Sequence, residues 1–203
     1  LFNGFVLALA WSNILGILGV NDPKTKVRIS IFGRSQIARY IPGNVFHLVG
    51  RHAMITRVGV NHSKAAASTI LEFSCILFAA FLISIVGSMY SDLRFDTDLS
   101  NVTITAIAVT CVSGVALLTA FVFRKKIVAV YTSNKLDFNV SIVGLFKITL
   151  GYAVFFVISG GVLYLLLFSQ DVPPTTIHYA AVLTAVAMSW TIGFVTPGAP
   201  AGV

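Results

Sequence analysis

The chain has 203 residues, of which 57% are hydrophobic and only 10% charged, against about 25% charged in soluble domains. With a mean hydropathy of +0.90, these values exclude an ordinary soluble enzyme or a disordered tail and indicate an integral membrane protein. A net charge of +7 must then sit where such a protein tolerates it, at the wet ends of its helices.

A hydrocarbon core about 30 Å thick needs ~20 apolar residues in a helix, and stretches of that kind recur along the chain. The first, Leu1 to Val20, lacks the basic leader and small-residue cleavage site of a signal peptide, so it is read as a truncated span. Because the chain stops at Gly202-Val203, directly after a Pro/Gly cluster, the expectation is one transmembrane domain over 1–203, cut at both ends.

Residues 21–64 carry eight of the fourteen basic residues: Lys24, Lys26, Arg28, Arg34, Arg39, Arg51, Arg57 and Lys64. Within them, 29–52 forms a basic segment broken by Pro42-Gly43. Proline removes a backbone donor and glycine permits unusual dihedrals, so a helix entering this point must break and leave backbone groups free. Free groups at membrane depth are stable only against protein or a wet cavity, which marks the break as a candidate site. Asp22 is the one acid in 21–64, so paired-carboxylate catalysis has no candidate pair there.

The second span is 65–90. If Ser63 caps it, Glu72 lies about nine residues, or ~13 Å, into the helix. A carboxylate at that depth is costly unless paired or protonated. It reads as a counter-ion to Arg39 or Arg51, as a proton-coupling group, or as a structural acid in an internal salt bridge. The loop that follows is acidic, with Asp92, Asp96 and Asp98. After the third span, 102–123, the loop is basic, with Arg124, Lys125, Lys126 and Lys135. The positive-inside bias places that basic loop in the cytoplasm, and alternation of the spans brings 21–64 to the same side.

The fourth span, 140–169, is about thirty residues or ~45 Å long, so it must tilt, bend or begin along the interface. Gly160-Gly161 is the expected place for a bend or a close helix contact, and Lys147 snorkels from its cytoplasmic end. The fifth span, 177–196, ends at Pro197-Gly198-Ala199-Pro200-Ala201-Gly202. That second Pro/Gly cluster falls on the same face as the first, and the two could form one site. The fold class is therefore all-α, a polytopic transmembrane helical bundle whose Pro/Gly-broken segments allow re-entrant stretches.

Arg39 and Arg51 bracket the first break, and a guanidinium fork matches phosphate geometry. The plainer role for both is interfacial anchoring. His47 and His52 are five residues apart, which does not put two metal ligands on one helical face, so His47 is read as a hydrogen-bonding group. His62 and His178 read as loop or interfacial residues. Cys75 and Cys111 lie in apolar runs without metal-site spacing. No nucleotide-binding, metalloprotease or hydrolase motif is present, so no residue is assigned a catalytic role and no cofactor or metal is expected. The basic charge lacks any accompanying nucleic-acid motif and favours anionic headgroups instead.

The run Ala38-Arg39-Tyr40-Ile41-Pro42-Gly43-Asn44-Val45-Phe46 to Gly50-Arg51, then Glu72, then Trp190-Thr191-Ile192-Gly193-Phe194 to Pro197-Gly198-Ala199-Pro200-Ala201-Gly202-Val203, resembles the lysylphosphatidylglycerol synthase transmembrane domain family of flippase-like membrane proteins. The resemblance covers most of the chain. In bifunctional members this domain moves aminoacylated phosphatidylglycerol between leaflets, and a separate soluble domain, not seen in this sequence, makes the lipid. Other members stand alone and are linked to lipid or lipid-linked glycan handling in the cell envelope. Members typically continue with a Gly-Val-Arg-Glu stretch, of which this chain has only Gly202-Val203.

The resemblance implies a lipid-translocating protein of a bacterial-type inner membrane, with membrane lipids as partners and the basic loops cytoplasmic. Its implied substrate-binding set is Arg39, Tyr40, Pro42, Gly43, Asn44, His47, Arg51, Glu72, Pro197, Gly198, Pro200 and Gly202. A membrane-embedded lipid-modifying transferase and a non-catalytic scaffold for envelope assembly remain as alternatives.

Overall fold

The computed structural model describes residues 2–40, 46–90, 142–169 and 178–195. All the regular structure among them is helical: α1 (Phe2–Ile17), α2 (Thr25–Gln36) running into a 3-10 turn (Ile37–Tyr40), α3 (Phe46–Arg57), α4 (His62–Tyr90), α5 (Ile142–Phe168) and α6 (Tyr179–Val195). The basic stretch expected as a broken loop is thus a helical hairpin, α2 and α3, between the first two apolar helices. Its Pro42-Gly43 break lies outside the described residues. So do the expected third span, 102–123, its flanking loops, Cys111 and the cluster 197–202.

Two glycines set the helix ends. After α1, the Gly19 amide bonds the Gly16 carbonyl and the Val20 amide bonds the Leu15 carbonyl, both at 3.0 Å, with Gly19 at φ +67°. After α3, Gly59 at φ +92° repeats the pattern, with Gly59 to Thr56 at 3.0 Å and Val60 to Ile55 at 3.3 Å. This is the left-handed stop that closes orphan carbonyls, and the apolar contact that goes with it is present as buried Leu15 with Val20 and buried Ile55 with Val60. The next helix then starts at once. Asn61 Oδ1 accepts from the Ser63 amide at 2.9 Å, so Asn61, not Ser63, caps α4.

Long-range contacts give the helix directions. Asn3 Nδ2 donates to Ser159 Oγ at 2.7 Å, and Ala10 faces Gly151, so α1 and α5 are antiparallel. Lys64 Nζ reaches the Gly19 carbonyl at 3.1 Å and Trp11 Nε1 reaches Ser68 Oγ at 3.3 Å, so α1 and α4 are antiparallel as well. Helices α4 and α5 therefore run parallel. Helix α6 opposes both, with Thr184 beside Gly87 and Leu183 beside Gly160. The α2–α3 hairpin, and with it most of the described basic residues, sits at the end where α1 finishes and α4 begins.

The core forms where α1, α4, α5 and α6 meet, around Trp11, Ile14, Leu15, Ala79, Ala80, Tyr152, Phe156 and Ala187. Small residues let the backbones close up. A Cβ at Gly160 would come within 3.0 Å of Leu183 Cδ1, whereas one at Gly161 would meet open space. Of the two roles expected for the Gly160-Gly161 pair, close packing belongs to Gly160, and α5 continues through it without interruption.

Two helices, His62–Gly87 and Val143–Phe168, are long and apolar enough to cross a membrane, at 26 residues each. Helices α1 and α6 are apolar but shorter, at 16 and 17 residues. In α5 only 22% of the most apolar window is buried, and Val143, Phe146, Leu150, Val154 and Val157 form an exposed stripe at helical spacing. A core helix of a soluble protein buries such a face. Apolar surface of this extent marks a contact face, for another protein segment or for lipid.

Among the described glycines the tightest site is Gly87, where a Cβ would lie 2.1 Å from Thr184 Oγ1 and 3.1 Å from the Ala180 carbonyl oxygen. Gly87→Ala is therefore expected to destabilise the bundle by about 1–3 kcal/mol, as overpacked cores do. Adding Thr184→Ala should recover part of the loss, as read by thermal unfolding in detergent.

Candidate functional site

Helix α3 turns three residues inward at four-residue spacing: His47, Arg51 and Ile55 are all buried. Across from them, α4 presents Ser68, Glu72 and Ile76 at the same spacing, also buried. This register puts a guanidinium opposite a carboxylate. Arg51 Nη1 donates to Glu72 Oε1 at 3.0 Å, and Arg51 Nη2 donates to Glu72 Oε2, completing a two-pronged salt bridge. Of the two arginines weighed as counter-ions to Glu72, Arg51 is the one the fold brings to it.

The pair is walled by aromatic rings. The Arg51 guanidinium carbon lies 5.0 Å from the Trp11 ring centre and 5.1 Å from that of Phe32, with Trp11 from α1 and Phe32 from α2. The two rings are themselves 5.9 Å apart. Trp11 is oriented by its bond to Ser68 Oγ, which in turn donates to the Ala65 carbonyl at 2.7 Å. The Arg51 side chain is 2% exposed and that of Glu72 11%. Ring quadrupoles favour a stacked guanidinium, and removing water strengthens the attraction between the opposite charges. Arg51 is thus bonded to Glu72, and a phosphate would have to compete for it.

A second arginine is buried nearby for a different reason. Arg28 on α2 donates from Nε to the Pro23 carbonyl at 2.7 Å, from Nη1 to the Ser12 carbonyl at 3.2 Å, and from Nη2 to the Val20 carbonyl. It thereby covers the carbonyl end of α1, where the helix dipole favours a cation. Burial lowers its pKa from the ordinary arginine value, and the Asp22 charge works in the opposite direction. Sequence reading counted Arg28 only as one more basic loop residue.

The described residues of the expected set come together only in part. His47 lies on the buried face of α3 one turn before Arg51, and Glu72 completes the pair. Arg39 and Tyr40 close the 3-10 turn after α2. Pro42, Gly43, Asn44, Pro197, Gly198, Pro200 and Gly202 lie outside the described residues. One contact went unread in the sequence: His52 Nε2 and His62 Nδ1 are 3.0 Å apart, bridging α3 to the first residue of α4 at the surface. His62 is therefore a helix residue with a partner, rather than a loop residue. Among the described residues no three His, Cys, Asp or Glu side chains gather to hold a metal.

On its outer side the α2–α3 hairpin forms a groove of about 500 Å³, lined by Lys26, Val27, Ser30, Ile31 and Arg34 from α2 and by Met54, Arg57 and Val58 from α3. Comparison of the chain with protein families, curated proteins and solved structures found no match.

Removing one member of a buried ion pair leaves the other charge uncompensated, at about 3–5 kcal/mol. Glu72→Leu should therefore lower stability strongly, and Arg51→Met added to it should restore most of the loss, because no bare charge then remains. Thermal unfolding of the single and double variants in one detergent checks this.

Proposed function

We propose that the chain is a multi-pass membrane protein that translocates the headgroup of a phospholipid or lipid-linked glycan, with its basic end on the cytoplasmic side of a bacterial-type inner membrane. The observation that carries the reading is the Arg51–Glu72 pair, an ion pair sealed among apolar helices. Ionisable groups at such positions are rare and mark substrate or ion paths. The antiparallel and parallel helix directions agree with the alternation of spans expected from the charged loops. The exposed apolar faces of α4 and α5 suit a lipid neighbour. Arg51 and Glu72 are also among the residues that carry the resemblance to flippase-like proteins.

The pair has the chemistry to pass a headgroup without stranding a charge. A phosphate entering from the basic end competes with Glu72 for the two-pronged guanidinium of Arg51. Where the headgroup also carries an amine, that amine meets the released carboxylate. Two ion pairs then replace one, and re-forming Arg51–Glu72 expels the headgroup. Trp11 and Phe32 hold the guanidinium plane during the exchange, and His47, one turn away, supplies a further hydrogen-bonding group.

The test is reconstitution into vesicles with fluorescent phospholipid and polyprenyl-phosphate probes. Glu72→Gln and Arg51→Gln should each slow translocation at least about tenfold, the effect of about 1.4 kcal/mol on a barrier. A wild-type protein that moves none of the probes overturns the reading. Orientation has its own test: with Cys75 and Cys111 replaced by alanine, Val58→Cys should react with a polar thiol reagent from the cytoplasmic side only, and reaction from outside overturns that orientation.

A further inference from the structure

The α2–α3 hairpin has two chemically different sides. Its inner side supplies Phe32 and Arg51 to the buried pair. Its outer side places Lys26, Ser30 and Arg34 at four-residue intervals along α2, so that they share one face, with Arg57 opposite them on α3. These three cations line one groove, and no acid among the described residues does. Only two acids, Asp22 and Glu72, occur among the described residues, and neither lines it. None of the three cations bonds to a carboxylate among those residues. Like charges gathered this way without a counter-ion repel one another, and an anion in the groove removes that repulsion.

The rest of the lining is apolar. Buried Ile31 and half-buried Met54 form the floor, and Val27 and Val58, 41% and 43% exposed, form part of the rim. A free phosphate gains nothing from such a surface. A volume of about 500 Å³ also exceeds what a bare phosphate fills and lies within the ~300–1,000 Å³ of ligand sites. The groove sits at the end of the bundle where the apolar helices meet the basic hairpin, which under the membrane reading is the headgroup level.

We propose that this groove binds an anionic phospholipid, with its phosphate between Lys26, Arg34 and Arg57 and its glycerol and first methylenes on Val27, Ile31, Met54 and Val58. A phosphomonoester headgroup fits best. It carries about −1.5 to −2 charge at neutral pH, and three cations offset that charge more fully than they would the single charge of a diester. The site is separate from the Arg51–Glu72 pair, and it rests on the membrane reading of the bundle but not on translocation.

The experiment is native mass spectrometry of the protein released from mixed vesicles of phosphatidate and phosphatidylcholine, counting retained lipids. The wild type should retain phosphatidate over phosphatidylcholine by about tenfold, and the exposed-residue variant Lys26→Gln/Arg34→Gln/Arg57→Gln should lose most of that preference. Lys24→Gln, which removes an exposed cation at the same end but outside the groove, should keep it. Val27→Ser/Val58→Ser should weaken phosphatidate retention and lower the glycerol phosphate concentration needed to displace it. The proposal is overturned if the wild type shows no preference, if the triple variant keeps it, if Lys24→Gln loses it equally, or if glycerol phosphate displaces phosphatidate at equal concentration. A protein that retains phosphatidate yet moves no lipid on reconstitution supports the groove and removes the translocation reading.

Discussion

The Arg51–Glu72 pair is the constraint on which the described structure turns. The pair and the two rings against it come from four helices: Trp11 on α1, Phe32 on α2, Arg51 on α3 and Glu72 on α4. Burying both charges carries a desolvation penalty of several kcal/mol per ion, and the two-pronged geometry, with two ring faces close to the guanidinium, is what offsets it. Because either charge alone would be far more costly, the contact holds the basic hairpin against the bundle. The same pair that fixes the fold is the one salt bridge among the described residues, set in a largely apolar interior.

Around that constraint the other polar contacts act as fittings. Arg28 satisfies the Ser12 carbonyl of α1 and the Val20 and Pro23 carbonyls of the turn after it, Lys64 reaches back to Gly19, and glycines at 19 and 59 end α1 and α3. These contacts use up the inward-facing cations. Of the cations left over, Lys26, Arg34 and Arg57 line the outer groove, so the hairpin separates structural from available positive charge.

Part of this organisation is legible in the residues. The glycines that end α1 and α3, the length of α4 and α5, and the unusual position of Glu72 all follow from local rules of backbone conformation and burial. Glu72 needed a partner, and Arg51 was one of two arginines named for it. The rest depended on contacts distant in sequence. Nothing near Trp11 or Phe32 indicates that they flank a guanidinium forty or twenty residues away, and Arg28 looks like any loop cation until its three carbonyl partners are seen. The His52 and His62 contact likewise required the turn at Gly59 to fold α3 back on α4. The Pro/Gly clusters, which drew the sequence reading most strongly, lie outside the described residues, and their shared site rests on charge patterning and resemblance alone.

By itself the sequence determined the chain's apolar character, its helical class, and where charge collects, because hydropathy and helix length act within a few residues of each position. Only the tertiary structure decided which charges are paired and which remain open. That choice depends on helix register and on which face of the α2–α3 hairpin turns inward, and both are set by packing against α1 and α4. A guanidinium on the opposite face of α3 would have lined the groove instead of meeting Glu72.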